Sequence, residues 1–175
     1  MKAEYTIKQV QVYYLRMDNK PAFVISEGKG LSVEELPKPI DIDGYLKLYT
    51  SVGKEYNWID RLEMPKDLLI NIINNSKTHV LLFKVNGTLA GWAELVEGRE
   101  YVELLYFGLL PEFVGKGLGK SFLAMNINKA WELNPAWIQL NTCSLDHPNA
   151  INVYKSLGFV EYKREFEMRK VFLRE

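Results

Sequence analysis

Three glycines alternate with other residues in Gly115–Lys116–Gly117–Leu118–Gly119–Lys120–Ser121, between an apolar run and a stretch with helical spacing. Glycines let a backbone approach a ligand closely, and a helix start aims unpaired N–H groups and a positive dipole at an anion. Lys116 and Lys120 add positive charge. Val114 to Ser121 is therefore a candidate phosphate cradle, with a plain strand-to-helix turn as the simpler alternative. Two nucleotide motifs each miss one position. The dinucleotide fingerprint G-x-G-x-x-G, started at Gly115 and Gly117, meets Lys120 where its third glycine belongs. The P-loop matches Gly119–Lys120–Ser121 but has Val114 in place of its first glycine.

Other chemistries find less support. His79 and His147 read as structural histidines, and no Cys/His/Asp group has metal-ligand spacing, so no metal is expected. Cys143 is the single cysteine. It can form no internal disulfide, which fits a reducing, cytoplasmic setting, and it reads as a buried small hydrophobe, not a nucleophile. Lys plus Arg and Asp plus Glu balance at 22 each. That balance, with no long basic block, argues against nucleic acid as a partner. No apolar run reaches the roughly 18 residues of a membrane span, and the N-terminus has no apolar leader, so no membrane partner is expected.

Length (175 residues) and a 47% apolar composition suit one domain over 1–175 with a sizeable core. Strands are expected over Thr6–Met17 and, across an Asp18–Asn19–Lys20–Pro21 turn, Ala22–Ser26. Leu36–Ile42 reads as a loop. Gly44–Trp58 and Pro65–Asn74 carry helical spacing, with Pro65 in a first turn. Thr78–Val85 and Thr88–Val96 form a hairpin about Asn86–Gly87, whose residues tolerate positive φ. Tyr101–Leu110 is nearly unbroken apolar, the mark of a strand buried on both faces. A helix follows the glycine loop, then a strand at Trp137–Cys143, a helix at Pro148–Leu157 and a final hairpin over Phe159–Leu173. The class is α+β, with a mixed, mostly antiparallel central sheet.

The loop resembles the acetyl-CoA pyrophosphate loop of the GNAT superfamily of N-acetyltransferases, R/Q-x-x-G-x-G/A, with Gly117 and Gly119 as its glycines. Asp146–His147–Pro148–Asn149–Ala150–Ile151–Asn152–Val153–Tyr154–Lys155–Ser156–Leu157–Gly158–Phe159 is similar to the family's second signature. The resemblance is firm from about Thr78 to Glu167. It implies a sheet with helices on both faces, splayed between its fourth and fifth strands, here Tyr101–Leu110 and Trp137–Cys143. It implies acetyl-CoA as co-substrate, its pantetheine on strand backbone near Leu109 and Leu110, with a bulge near Gly108. Asn149, and with it Asn141 and Asn152, is a candidate for the pantetheine amides. Val114 departs from the family's usual Arg or Gln.

The implied reaction moves acetyl from a thioester to a small-molecule or peptide amine within a ternary complex. The amine must lose a proton and the departing thiolate must gain a hydrogen-bond donor or a proton. The resemblance makes Tyr154 the candidate acid, facing the coenzyme sulfur, and Glu103, at the family's spacing from the loop, the candidate base. It sets the acceptor pocket among Tyr45, Tyr49, Tyr56, Trp58, Asp60 and Arg61. A non-catalytic acyl-CoA-binding module is the alternative, and either a monomer or a homodimer is compatible.

Overall fold

The computed structural model describes residues 5–22 and 30–173. Among these residues seven strands form: β1 Tyr5–Met17, β2 Leu31–Glu35, β3 Thr78–Val85, β4 Thr88–Glu97, β5 Tyr101–Leu109, β6 Trp137–Cys143 and β7 Val160–Phe172. They form one sheet in the order β2-β3-β4-β5-β6-β1-β7. All neighbours are antiparallel except β5 and β6. Asn86 and Gly87 take φ of 50° and 80°, as the β3–β4 hairpin needs.

Among the described residues five helices cover the sheet: α1 Ile42–Gly53, α2 Asp60–Glu63, α3 Lys66–Ile73, α4 Leu118–Glu132 and α5 Ala150–Ser156. The α1 N-terminus is capped by Asp41, whose carboxylate accepts from the Gly44 N–H at 2.7 Å. Helices lie on both faces. Phe122, Leu123 and Ile127 of α4 join Phe83, Leu95 and Leu140 in the larger core. Tyr45 and Tyr49 of α1 and Leu69 and Ile73 of α3 pack with Trp92 in a second core on the opposite face.

Several expectations are corrected. The first helix stops at Gly53, and a separate turn of helix, α2, follows. The final segment is no hairpin but one strand, β7, antiparallel to β1. It has no Gly, Pro or Asn to turn on, and its irregularity at Tyr162 is absorbed as a bulge. Leu31–Glu35, not foreseen, is an edge strand on β3. The strand expected over 22–26 lies, from residue 23 on, outside the described residues. On β5 only Val102 and Leu104 are buried; the rest is half-buried, because β6 leaves its side.

That departure makes the site. β5 and β6 pair only at Tyr101–Trp137, Val102–Ile138 and Glu103–Gln139, after which the strands separate. The expected splay is therefore present. The bulge sits earlier than Gly108: Leu104 pairs with Leu95 and Tyr106 with Glu94, leaving Leu105 as the extra residue. Gly108 instead lets α1 approach, since a Cβ there would lie 2.3 Å from Val52 Cγ1.

Candidate active site

The splay opens into a cavity of about 1110 Å³ that runs from the glycine loop to the α1–α2 connection. Its first end is the loop. Pro111–Phe113 forms a single 3-10 turn, and Gly115 and Gly117 then take φ of 79° and 74°. Only glycine enters that region without strain. Gly117 is the N-cap of α4, so no side chain caps the first N–H groups of that helix. A Cβ on Gly115, Gly117 or Gly119 would meet nothing within 4 Å, so the loop's surface is open backbone beside a helix N-terminus. Those are the requirements of an anion cradle. Val114, Gly115, Gly117, Leu118, Gly119 and Lys120 line the cavity. Lys116 turns away to lie 5.2 Å from the Phe113 ring centre. Ser121 also stands outside the lining.

Along the cavity, Leu109 is on its wall, whereas Leu110 is not and its N–H donates to the Ala90 carbonyl at 2.9 Å. Asn149 and Asn152 line it together, the Asn152 Nδ2 donating to Asn149 Oδ1 at 3.2 Å. Asn149 also donates its N–H to His147 Nδ1 at 3.2 Å. Asn141 lines the wall from β6.

Tyr154 of α5 lines the cavity, with its ring edge-on to Phe107 and Phe159. Burial pushes its phenol above the ordinary range, and the Asp146 carboxylate nearby adds to the effect. Asp146 is itself held in place, accepting from the Thr142 hydroxyl at 2.7 Å and the Cys143 N–H at 2.8 Å. Tyr154 therefore keeps its proton at neutral pH and is a hydrogen-bond donor to whatever builds negative charge beside it. Cys143 is on the same wall, and burial pushes its thiol up, which suppresses the nucleophilic thiolate.

Glu103 is placed differently from what alternation alone suggests. Because Leu105 is bulged, Val102 and Leu104 share the larger core with Phe107 and Leu109. Glu103 therefore faces the opposite side, with Tyr106 and Gly108, not with Leu105, Phe107 and Leu109. It lies just outside the lining, where β5 and β6 are still paired. Burial raises its carboxyl, and a hydrogen bond to Asn141 opposes the rise. Asn141 thus connects Glu103 to the cavity.

The far end is aromatic. Tyr49, Tyr56, Trp58 and Tyr106 line it, with Trp58 and Tyr106 ring centres 4.9 Å apart and Tyr49 and Tyr106 5.1 Å apart. Behind this wall is a charged group that sequence reasoning missed. Glu94 is fully buried, accepting from Arg61 Nη2 at 2.6 Å and from the Tyr45 hydroxyl at 2.6 Å. Burial pushes the Glu94 carboxyl up while Arg61 and Tyr45 pull against it. The Arg61 guanidinium lies 5.5 Å from the Tyr106 ring centre, and its backbone N–H donates to the Tyr49 hydroxyl at 3.4 Å. One signal was available: Glu94 is the sole charge in the apolar run Leu89–Val96. His79, by contrast, is satisfied between Glu35 and Glu97 at 2.9 Å each.

One cavity thus joins the splay of a mixed sheet, an open glycine loop beside a helix N-terminus and a buried tyrosine. The model of the acetyltransferase (GNAT) family matches residues 45–159, and the chain belongs to that family. It is an acyltransferase. Over 168 residues it is 24% identical to an uncharacterized N-acetyltransferase of Methanocaldococcus jannaschii, covering 89% of this chain and 72% of that one. Its fold resembles a GCN5-related N-acetyltransferase of Sphaerobacter thermophilus (TM-score 0.63, 12% identity, 98% of this chain and 54% of that one). It also resembles a Bacillus subtilis acetyltransferase solved in complex with CoA (TM-score 0.53, 19% identity, 73% of this chain and 75% of that one). The chain spans 62% and 68% of two further structures it resembles. Among the described residues no helix is long and apolar enough to cross a membrane.

Proposed function

We propose that the protein moves the acetyl group of acetyl-CoA onto a primary amine by direct attack in a ternary complex. The observation that carries this reading is the continuous cavity joining the glycine cradle to the aromatic end through the β5–β6 splay. The pyrophosphate lies on the loop from Val114 to Lys120, held by backbone N–H groups and Lys120, which is why Val114 can stand in place of Arg or Gln. Pantetheine runs past Leu109 and Asn149, and the acceptor enters from the aromatic end. The Bacillus relative that binds CoA through a similar fold supports the choice of coenzyme.

The amine nitrogen attacks the thioester carbonyl, the C–S bond breaks, and an amide and free CoA result. Tyr154 donates to the sulfur as it gains charge. Glu103, with its raised carboxyl and its hydrogen bond to Asn141 on the cavity wall, takes the amine's proton through an intervening water molecule. The raised Cys143 thiol supports direct transfer over an acyl-cysteine intermediate. A cytoplasmic setting suits a chain with one free cysteine and acetyl-CoA as its co-substrate. The test is thiol release from acetyl-CoA across a panel of amines. Amine-dependent thiol with a matching acetylated amine is expected. Ligand-dependent stabilisation with no thiol would make the chain an acyl-CoA-binding module.

A further inference from the structure

The charges at the aromatic end of the cavity do not cancel. Glu63 is bridged to Lys170, and Glu167 pairs with Arg169 at 3.0 Å while accepting from the Tyr14 hydroxyl at 2.6 Å. Asp60 also lines this end, is exposed, and takes neither a hydrogen bond nor an ion pair among the described residues. Burial is the main cause that raises the Tyr49 and Tyr106 phenols, and the Asp60 charge adds a smaller rise to each. An uncompensated carboxylate on a wall that also carries tilted and edge-on aromatic rings is the arrangement that holds an organic cation.

Asp60 is also fixed. It opens α2, and the next residue is Arg61, whose guanidinium is clamped to Glu94 and whose N–H is tied to Tyr49. A short surface helix thus acquires a rigid anchor in the sheet, and the backbone that carries Asp60 is held at the aromatic end of the cavity. Tyr154 and Leu109 mark the transfer end, elsewhere in the same cavity.

We propose that Asp60 holds a second cationic group of the acceptor, so that the preferred acceptors are small amines carrying two positive charges. One amine reaches the thioester end and is acetylated; the other stays as an ammonium at Asp60, over the rings of Trp58 and Tyr106. This rests on the acetyl-transfer reading above. It goes further by naming the substrate class and the residue that selects it.

The experiment compares α,ω-diamines from 1,3-diaminopropane to 1,6-diaminohexane with monoamines of the same chain lengths. Thiol release gives kcat/KM for each, and calorimetry on the CoA-saturated protein gives affinity without turnover. For the best chain length the diamine should exceed its monoamine by at least about tenfold, mostly in KM. In Asp60→Asn, which removes one charge from an exposed position, that ratio should fall to near one in both readouts, with Asp60→Glu recovering part of it. Diamine binding lost in Asp60→Asn, in a wild type that releases no thiol, would uphold the cation site and sink acetyl transfer. Turnover with equal handling of diamines and monoamines, or a ratio unchanged in Asp60→Asn, would overturn the proposal and leave acetyl transfer standing.

Discussion

Replacing Glu94 by leucine should be far more damaging than its apolar surroundings suggest. The carboxylate is fully buried, and its two oxygens are used by Arg61 and Tyr45 at 2.6 Å each. Leucine fills the space but leaves the Arg61 guanidinium, 5% exposed, with no counterion. Removing one partner of a buried pair costs about 3–5 kcal/mol. The Tyr45 hydroxyl loses its acceptor as well, at about 1–3 kcal/mol, although the two losses overlap. Taking about 4 kcal/mol as the net, and about 2–4 °C per kcal/mol for a chain of this size, Tm should drop by about 8–16 °C. The measure is thermal unfolding of wild type, Glu94→Leu, and the double variant Glu94→Leu with Arg61→Met. The double variant removes both charges and should recover most of the loss, because the expense lies in the orphaned guanidinium. A single variant as stable as wild type, or a double variant no better than the single, would refute the argument.

Three further outcomes follow from the site. Gly117→Asp should abolish acetyl-CoA binding, read by calorimetry, because it sets a negative charge and a strained side chain at the φ of 74° where phosphate must approach. Tyr154→Phe should lower kcat at least about tenfold with acetyl-CoA affinity preserved, since only the donor to the sulfur is removed. Activity that depends on ionised Glu103 should fall as the medium becomes more acidic. The carboxyl is raised by burial, so that acidic limb lies above the ordinary carboxylate range. Glu103→Gln should lower kcat/KM and erase that limb.

The glycine loop was legible because its chemistry is local: alternating glycines ahead of a helix state their own purpose, and Gly115 and Gly117 do take positive φ. The β3–β4 hairpin was equally plain from Asn86–Gly87. The splay followed from resemblance, not from periodicity. What escaped the sequence depends on pairing between distant strands. An unbroken pleat along Tyr101–Leu110 would put Glu103 on the face of Phe107 and Leu109, and the extra residue Leu105 moves it to the other face. Val160–Phe172 is one long strand and not a hairpin because its partner β1 is equally long and the segment carries no turn residue. A lone charge in the apolar run Leu89–Val96 marks Glu94 as unusual but does not name its partner. Only the packing of α1 and α2 over β4 turns it into a buried anchor for Arg61.

The central claim is tested most directly by incubating the protein with acetyl-CoA and an amine panel, following free thiol, and identifying the product by mass spectrometry. Thiol should appear only with amine present, in one-to-one proportion to an acetylated amine, and vanish in Gly117→Asp. Acetyl-CoA binding with no amine-dependent thiol, or thiol released with no acetylated amine, would contradict it.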